Sequence, residues 1–533
     1  MKNQIIRIAA ILATLVLFLS IQAFSQNGTQ SKKFSRLLNL IEKQYVDSVD
    51  INKLTEAAIV AMLKELDPHS VYISKDEVKL MNEPLQGNFD GIGIQFNILD
   101  DTILVIHPIA GGPSDKLGIK SGDRIVTVDK KNVAGIGITN KKVRSKLMGA
   151  KGTVVNVGIK RFGESDLLDF AITRDKIPIH SVDAAYMVDR RIAYIKLNRF
   201  SATTKKEFEK ALLSLKEKGM KHLILDMEGN GGGYLNMAIE LSDHFLDTGK
   251  LIVYTEGINN PKKIYNATSR GDFENGRLAV IINEGSASAS EIVSGAIQDW
   301  DRGVLIGRRS FGKGLVQRQY PLFDGSATRI TIAYYYTPTG RSIQKSYKNG
   351  VEQYRKDISN RFKRGELLHK DSIHFADSLK FRTLSKQRTV FGGGGIMPDI
   401  FVPIDTIIYT DYYKDLVRKG ILNKFVLSKI DSKRDSLKTM YPDFNYFKHN
   451  FEVDSLLLNK LFSMAQKEGI ERNKEEIALS RELIAVQMKA LFGRDLYENG
   501  NYFEIANTID PLVLKAYEII DNRRKYNTIL DGE

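Results

Sequence analysis

The spacing of apolar residues changes several times along the 533-residue chain, and each change predicts a different kind of structure. Over residues 31–86 the apolar side chains recur three and four positions apart, which is typical of amphipathic helices. The first such stripe consists of Phe34, Leu37, Leu38, Ile41 and Tyr45. We therefore predict an N-terminal helical region over residues 31–86.

From Gly91 to Arg174 the apolar residues form short β-rich runs, which indicates strands. We predict one helix near Lys141–Met148, between strands at Ile92–Phe96, Ile103–Ile106, Arg124–Val128 and Val154–Ile159. This layout predicts a PDZ-like domain over residues 87–178. In such a domain the backbone N–H groups of Gly91, Ile92, Gly93 and Ile94 would bind a peptide's terminal carboxylate, and the peptide would add as a strand.

Residues 179–344 alternate between strand patterns and helix patterns, which predicts a layered α/β core. A charged segment, residues 345–391, interrupts this pattern before the glycine-rich run that begins at Gly392, and we interpret it as an insertion within a core of residues 179–405. Residues 406–533 return to helical spacing and predict a C-terminal helical domain. The predicted fold is therefore an α+β multidomain one with helical regions at both ends.

Residues 1–25 are typical of a secretory signal peptide. Lys2 and Arg7 precede the apolar run Ile8–Ile21, and Ala23-Phe-Ser25 provides a small-x-small cleavage site. An uncleaved membrane anchor is the alternative, which would associate the protein with the membrane through its N-terminus. The chain has no cysteine, which suits export to a bacterial periplasm without disulfides.

The net charge of +14 raises the question of a nucleic-acid or membrane-surface partner. Lysine and arginine are spread over every region without a dense basic block, so we predict a solvated basic surface and no nucleic-acid partner. No spacing of His, Asp and Glu predicts a metal site, and we expect no cofactor. The oligomeric state is not predicted.

Ser288 and Lys313 are the most informative pair of polar residues. A serine hydroxyl becomes a strong nucleophile only when a base removes its proton, and a lysine can do so if burial lowers its pKa toward neutrality. None of the eight histidines belongs to a Gly-x-Ser-x-Gly nucleophile elbow, so a Ser-His-Asp triad has no local support. The pair predicts a serine protease with a lysine base.

Two alternatives compete for these residues. Ser288 and Glu291 also fit a helix capping box, although Ser286 could cap the helix instead and leave the Ser288 hydroxyl free. The run Gly307–Lys313 fits the first seven positions of a phosphate-binding P-loop. Gly314 breaks that motif, because a P-loop needs Ser or Thr there and a following helix, whereas Leu315–Pro321 is typical of a strand.

The motifs, taken in order, resemble those of the carboxy-terminal processing proteases, also called tail-specific proteases. They are Leu66–Tyr72, Gly91–Ile94, Leu223–Leu235, Gly285–Glu291, Phe311–Gln317 and Thr337–Gln344. The resemblance implies a crotonase-like protease core and a serine endopeptidase that acts on flexible protein C-termini. A catalytically inactive PDZ scaffold is the alternative function.

The resemblance also implies roles for individual residues. Gln317 would orient Lys313, since an amide can accept a hydrogen bond from the ammonium without adding charge. The oxyanion hole would consist of backbone N–H groups, one from Gly231 or Gly232 and the other from Ala289. Members of this family often carry arginine where this chain has Glu228, which changes the local charge but not the backbone role.

Overall fold

A computed structural model of the protein describes residues 28–532. The predicted signal peptide, residues 1–25, lies outside the described residues. Between residues 28 and 532, no helix is both long enough and apolar enough to cross a membrane. The described chain divides into two units.

The smaller unit contains residues 28–74 and 319–330. Its helices are α1 (28–44) and α2 (Ile51–Lys64), and its short strand β1 (Val71–Ile73) pairs antiparallel with residues 327–329. The side chain of Asp50 caps α2 by accepting the backbone N–H of Lys53 at 3.1 Å. Helices therefore occupy the first part of the region predicted to be helical.

The larger unit begins with α3 and a PDZ domain. The domain has a sheet in the order β3-β4-β5-β7-β8, with β6 beside β5, while β2 pairs with β9. The elements are α3 (Lys75–Gln86), β2 (Asn88–Gly91), β3 (Ile94–Leu99), β4 (Thr102–Pro108), α4 (Pro113–Lys116), β5 (Arg124–Val128), β6 (Lys131–Asn132), α5 (Asn140–Leu147), β7 (Val154–Lys160), β8 (Leu168–Thr173) and β9 (Asp175–Pro178).

The protease core follows the PDZ domain. Its elements are β10 (Val182–Met187), β11 (Ile192–Leu197), α6 (Thr204–Glu217), β12 (His222–Asp226), α7 (Leu235–Asp243), β13 (Leu251–Gly257), β14 (Asn260–Asn266), β15 (Leu278–Ile282), α8 (Ala289–Asp299), β16 (Val304–Gly307), β17 (Leu315–Pro321), β18 (Ala327–Tyr336), α9 (Gly350–Arg355), α10 (Asp357–Lys363), β19 (Lys380–Arg382), β20 (Thr389–Phe391) and β21 (Ile400–Phe401). Two 3₁₀ turns, Lys370–Ser372 and Asp377–Leu379, lie between α10 and β19.

The central sheet of the core has the order β10-β11-β12-β15-β16-β21. From β11 to β21 every neighbouring pair is parallel, and only β10 runs antiparallel to β11. Parallel neighbours end at the same edge of a sheet, and polar groups that follow them therefore meet there. The loops after β12, β15 and β16 carry the predicted site residues, so strand order alone brings them to one edge.

Helices cover both faces of the central sheet. Alternate residues of β11 show this: Ala193, Ile195 and Leu197 pack with α6, α7 and α8 on one face, whereas Ile192 and Tyr194 pack with the last two helices on the other. Those last helices are α17 (Pro511–Asp521) and α18 (Arg523–Asp531). The predicted layered α/β core is confirmed.

The region predicted as one C-terminal helical domain, 406–533, divides into two parts in the structure. Six helices form their own apolar core: α11 (Asp411–Arg418), α12 (Ile421–Met440), α13 (Phe444–Asn450), α14 (Ser455–Lys467), α15 (Lys474–Leu496) and α16 (Gly500–Ala506). The remaining two, α17 (Pro511–Asp521) and α18 (Arg523–Asp531), pack on the protease sheet. A boundary at residue 406 would therefore cut the protease core, because the sheet needs these helices to cover its second face.

Candidate active site

Ser288 lies in the turn between the central strand β15 and helix α8. Its backbone has φ 57° and ψ −111°, a conformation that residues other than glycine rarely adopt. The residue is half-buried and occupies the N-cap position of α8. The N–H groups of Ser290 and Glu291 in the first turn of α8 are bonded to the backbone oxygens of Ala287 and Ser288, at 3.1 and 2.9 Å. The partial positive charge at the start of a helix would stabilise a negative charge placed beside Ser288.

A single carboxylate oxygen brings Ser288 and Lys313 together. Oε2 of Glu291 accepts the backbone N–H of Ser288 at 2.8 Å and that of Lys313 at 2.9 Å. Oε1 of the same carboxylate accepts the backbone N–H of Gly312 at 2.7 Å and the hydroxyl of Ser310 at 2.5 Å. Both predicted catalytic residues are therefore anchored, through their backbones, to one side chain.

Glu291 has no solvent exposure. Burial raises the pKa of its carboxyl group, and the hydrogen bonds from Ser310, Lys313, Ser288 and Gly312 act in the opposite direction. Sequence reasoning assigned Glu291 only to a capping box. The bond that Glu291 accepts from the N–H of Ser288 is the one expected in a capping box. Helix-capping motifs give no information about its contacts with the Lys313 loop.

The alternative in which Ser286 caps α8 is wrong, because the N-cap residue is Ser288. Its hydroxyl donates to the backbone oxygen of Met227 at 2.8 Å and accepts the backbone N–H of Asn283 at 2.9 Å. The bond to Met227 joins the loop after β15 to the loop after β12, and the bond from Asn283 lies within the loop after β15. Ser286 lies two residues before the cap position, so it ties the two loops together and does not begin the helix.

The glycine-rich loop after β12 packs directly against the Ser288 turn. A Cβ atom on Gly232 would lie 2.8 Å from Cβ of Ser288 and 2.9 Å from the backbone nitrogen of Ala289, whereas a Cβ on Gly231 would meet nothing within 4 Å. Gly232 also has φ +97°. Only glycine fits at 232, and the predicted oxyanion residues Gly231, Gly232 and Ala289 therefore lie beside the predicted nucleophile.

Asn230, which sequence reasoning did not single out, fixes this arrangement. Its side-chain oxygen accepts the N–H of Gly232 at 2.9 Å, and its side-chain nitrogen donates to the backbone oxygen of Leu197 at 2.9 Å. Its backbone oxygen accepts from Ala287 at 3.0 Å and from the Ser290 hydroxyl at 2.8 Å. Asn230 is fully buried, so its bonds hold the loop in one position.

Gln317 lies on β17 and is half-buried. Its side-chain nitrogen donates to the hydroxyl of Thr331 at 3.3 Å. The amide oxygen is the atom able to accept from a lysine ammonium. The predicted role of Gln317 in orienting Lys313 stays a prediction.

The predicted tail-binding segment of the PDZ domain connects two strands, because Gly91 ends β2 and Ile94 begins β3. Gly91, Ile92 and Gly93 are buried, and Ile94 is half-buried. The backbone oxygen of Ile92 accepts from the Ser114 hydroxyl at 2.6 Å, and that of Gly93 accepts from the N–H of Ile109 at 2.9 Å. β3 is an edge strand at one end of the sheet order, so its outer edge is the one to which a peptide strand would add.

The structure excludes the P-loop alternative. Residues 315–321, which would begin the helix of a P-loop, form strand β17. The N–H of Gly314, at the position where a P-loop carries Ser or Thr, donates to the side-chain oxygen of Gln344 at 2.7 Å. Within the described part of the chain, no group of three or more His, Cys, Asp and Glu side chains is placed to hold a metal ion.

Family comparisons agree with this organisation. Peptidase family S41 matches residues 191–354, the PDZ domain family matches 91–172, and the N-terminal domain of the activating protease CtpB matches 19–77. A family of unknown function matches residues 412–498, within the helical region α11–α16.

Two curated relatives share most of their length with this chain. The carboxy-terminal-processing protease of Bartonella bacilliformis is 36% identical over 353 residues, covering 64% of this chain and 80% of that protein. The carboxy-terminal processing protease CtpA of Bacillus subtilis is 37% identical over 359 residues, covering 65% and 76%. Among solved structures, a photosystem II D1 C-terminal processing protease is 28% identical, covering 58% of this chain and 89% of that chain with a TM-score of 0.34.

The extent and identity of these matches, together with the S41 and PDZ domains, place the chain in a family. It belongs to the carboxy-terminal processing proteases, which are PDZ-containing serine peptidases of family S41.

Proposed function

We propose that this protein is an exported serine endopeptidase that captures flexible protein C-termini through its PDZ domain and cleaves them with Ser288 and Lys313. The observation that carries the proposal is the Glu291 carboxylate, whose Oε2 bonds the backbones of both residues. A base must lie within hydrogen-bond reach of the proton that it removes, and this shared anchor supports that arrangement.

In the proposed reaction, uncharged Lys313 takes the hydroxyl proton of Ser288 as the serine oxygen attacks the scissile carbonyl carbon. The resulting oxyanion is stabilised by the backbone N–H of Ala289 and by one from the glycine-rich loop, either that of Gly231 or that of Gly232 once it leaves its bond to Asn230. Lys313 then returns the proton to the leaving amine, and the peptide C–N bond breaks. Water, deprotonated by Lys313, then attacks the acyl carbon, the ester C–O bond to Ser288 breaks, and Lys313 returns the proton to the serine oxygen. Gln317 holds the lysine side chain throughout.

The test of the Ser-Lys mechanism is a double-mutant comparison on the purified protein with an unfolded substrate such as casein. Ser288→Ala and Lys313→Ala should each lower kcat by about a thousandfold or more, and the double variant should be no worse, because the two groups act as one unit. The exposed Lys206 on α6 provides the matched control, and Lys206→Ala should keep normal activity. Substantial cleavage by purified Ser288→Ala would rule out this nucleophile, and an inactive wild-type protein would favour the scaffold alternative.

The proposed location is the periplasm, reached through the signal peptide at residues 1–25. Fractionation of cells that produce the full chain should recover the protein with soluble periplasmic markers, beginning after residue 25. Recovery of the full-length chain with the membrane would support the uncleaved anchor instead.

A further inference from the structure

The segment predicted to be an insertion contains a buried arginine. Arg361 lies on α10 and is 1% exposed. Its guanidinium donates to the backbone oxygens of Ser310 at 2.7 Å, Phe311 at 3.2 Å and Arg309 at 3.4 Å. These three residues form the loop that leads to Lys313, so one side chain of the insertion bonds three consecutive carbonyl groups of that loop.

Lys345 adds a second contact between the same segment and the same loop. Its backbone N–H donates to the backbone oxygen of Gly312 at 3.0 Å. Its ammonium lies 3.7 Å from the ring centre of Phe311 and 4.2 Å from that of Tyr354, and it pairs with Asp357 at 3.1 Å. This lysine is therefore held by two rings and a carboxylate, in an arrangement that stabilises a cation.

Asp357 balances the charges of the segment. It accepts from Arg361 at 2.9 Å as well as from Lys345. A buried guanidinium without a carboxylate partner would be strongly unfavourable, so Asp357 is what allows Arg361 to lie under the loop. Tyr354, on α9, is itself buried, and its ring contacts the Lys345 ammonium beside that of Phe311.

The Lys313 loop is thus held from two sides by opposite charges. The backbone oxygens of residues 309–312 are bonded by Arg361 and by the backbone of Lys345, while the N–H groups of Gly312 and Lys313 are bonded by Glu291. The loop has no regular secondary structure that would satisfy these groups. Without the segment, the loop would lose the side-chain anchor on its backbone oxygens and keep the anchors on its N–H groups, which are Glu291 and Gln344.

We propose that Lys345, Asp357 and Arg361 of this segment form a positioning element for the Lys313 loop and that Arg361 is its central positioning residue. The proposal rests on the proposed function, in which Lys313 is the base. Arg361 acts through the loop backbone and not on the substrate. Its loss would let the lysine sample positions outside hydrogen-bond reach of Ser288, which lowers the rate of the chemical step.

The test compares Arg361→Ala and Arg361→Lys with Lys363→Ala, an exposed residue on the same helix. For Arg361→Ala we expect kcat to fall by about tenfold to a hundredfold, while KM stays within about twofold. Labelling of Ser288 by a fluorophosphonate probe should slow by a similar factor, because the probe reports activation of the hydroxyl. Arg361→Lys should recover part of the rate, since lysine keeps the charge but not the forked donor geometry. Lys363→Ala should match the wild type.

Amide hydrogen exchange supplies a readout that does not depend on catalysis. In Arg361→Ala, peptides that cover residues 309–316 should exchange faster, whereas peptides from the central strand β15 should keep their wild-type rate. Faster exchange throughout the protease core would mean that Arg361 only supports the fold and would overturn the proposal. An unchanged kcat and unchanged loop exchange would overturn it as well.

If Arg361→Ala does not fold, Asp357→Asn decides the question, because it removes the charge partner and keeps the arginine. Asp357→Asn should lower kcat and speed loop exchange as Arg361→Ala does, but with a smaller loss in kcat. If Asp357→Asn keeps the wild-type kcat and loop exchange, the proposal is contradicted. Failure of the proposed function can be distinguished from failure of this inference, because Lys313→Ala would remain active if Lys313 is not the base. If only the inference fails, Lys313→Ala would be inactive. Arg361→Ala would then either be fully active or exchange faster throughout the protease core.

Discussion

The backbone of Ser288 is strained, and its neighbours hold the strain in place. A non-glycine residue with positive φ costs about 1–3 kcal/mol and persists only where surrounding contacts determine it. Here the N–H of Ser288 is bonded by Glu291 at 2.8 Å, and its backbone oxygen accepts the hydroxyl of the buried Tyr335 at 3.1 Å. Both backbone groups of the residue are therefore fixed, which holds the serine at one position beside the glycine-rich loop.

Glu228, where the family often has arginine, is a carboxyl group with an unusual environment. Burial raises the pKa of Glu228 to about 8, with Asp226 and Asp510 adding to the increase and Lys196 and Arg308 opposing it. Its Oε1 accepts from the side chain of Asn283 at 3.2 Å. Glu228 thus bonds the loop of the predicted nucleophile while it remains protonated near neutral pH.

The raised pKa predicts how Glu228 affects stability. In the unfolded chain the group ionises near pH 4.5, whereas in the folded protein it keeps its proton until about pH 8. The folded state therefore binds the extra proton between these values, and stability falls as pH rises, by up to about 1.4 kcal/mol per pH unit from this group. Glu228→Gln should remove that slope.

Urea unfolding of the wild type and of Glu228→Gln at several pH values provides the measurement. The stability of the variant relative to the wild type should increase from pH 6 to 8 and then level off. Glu217→Gln, at an exposed position on α6, is the control and should show no such trend. A constant difference between Glu228→Gln and wild type across this range would contradict a protonated Glu228.

At the scale of elements, α17 shows how far the protease core extends. Its buried residues Ile519 and Ile520 lie in one cluster with Ile192, Ile224 and Ile281 of the central sheet. The other face of the sheet is covered by α6, α7 and α8 from the middle of the chain. The C-terminal end of the chain is therefore part of the structure that supports the candidate site.

This packing predicts different costs for two substitutions on the same helix. Ile519→Ala should destabilise the protein by about 2–4 kcal/mol, because it leaves a cavity against the sheet. Leu514, which is 48% exposed, is the matched position, and Leu514→Ala should cost less than about 0.5 kcal/mol. Urea unfolding followed by the fluorescence of Trp300 measures both. Equal losses would argue against a buried sheet-facing side of α17.

At the scale of the whole molecule, the PDZ domain is attached to the C-terminal helices. Arg124 on β5 donates to both carboxylate oxygens of Asp431 on α12, at 3.2 and 2.5 Å. Leu427 of the same helix packs among apolar side chains of the PDZ sheet, namely Leu99, Leu104 and Ile106. The helical domain therefore contacts the PDZ domain directly, in addition to the covalent link between them along the chain.

The open edge of β3 and the loop at Gly91–Ile94 predict that substrate choice depends on a free C-terminus. Backbone N–H groups can bond a terminal carboxylate, whereas an amidated end removes that charge. One unfolded substrate with an apolar tail, prepared with a free or an amidated end, should show a lower kcat/KM when amidated. An excess of a short free-tail peptide should inhibit cleavage, and its amidated form should inhibit less. Equal kcat/KM values would rule out tail recognition and leave the Ser-Lys chemistry unaffected.

Much of the architecture could be predicted because it depends on short-range patterns. The PDZ helix predicted near Lys141–Met148 is α5 (Asn140–Leu147), and the segment predicted as a strand after Gly314 is β17. Residue spacing reports which side chains share a face of one element, and local motifs report the turn chemistry between elements. Ser288 and Lys313 were identified from such motifs and from their resemblance to a family.

The sequence by itself therefore determined the order of the domains, the layered protease core and the pair of candidate catalytic residues. Only the tertiary structure decided that Glu291 bonds the Lys313 loop, that Arg361 in the insertion bonds the same loop, and that α17 covers the second face of the central sheet. These contacts join residues separated by tens to hundreds of positions. They depend on which strands are neighbours and where buried charges find partners, and residue spacing along the chain does not contain that information.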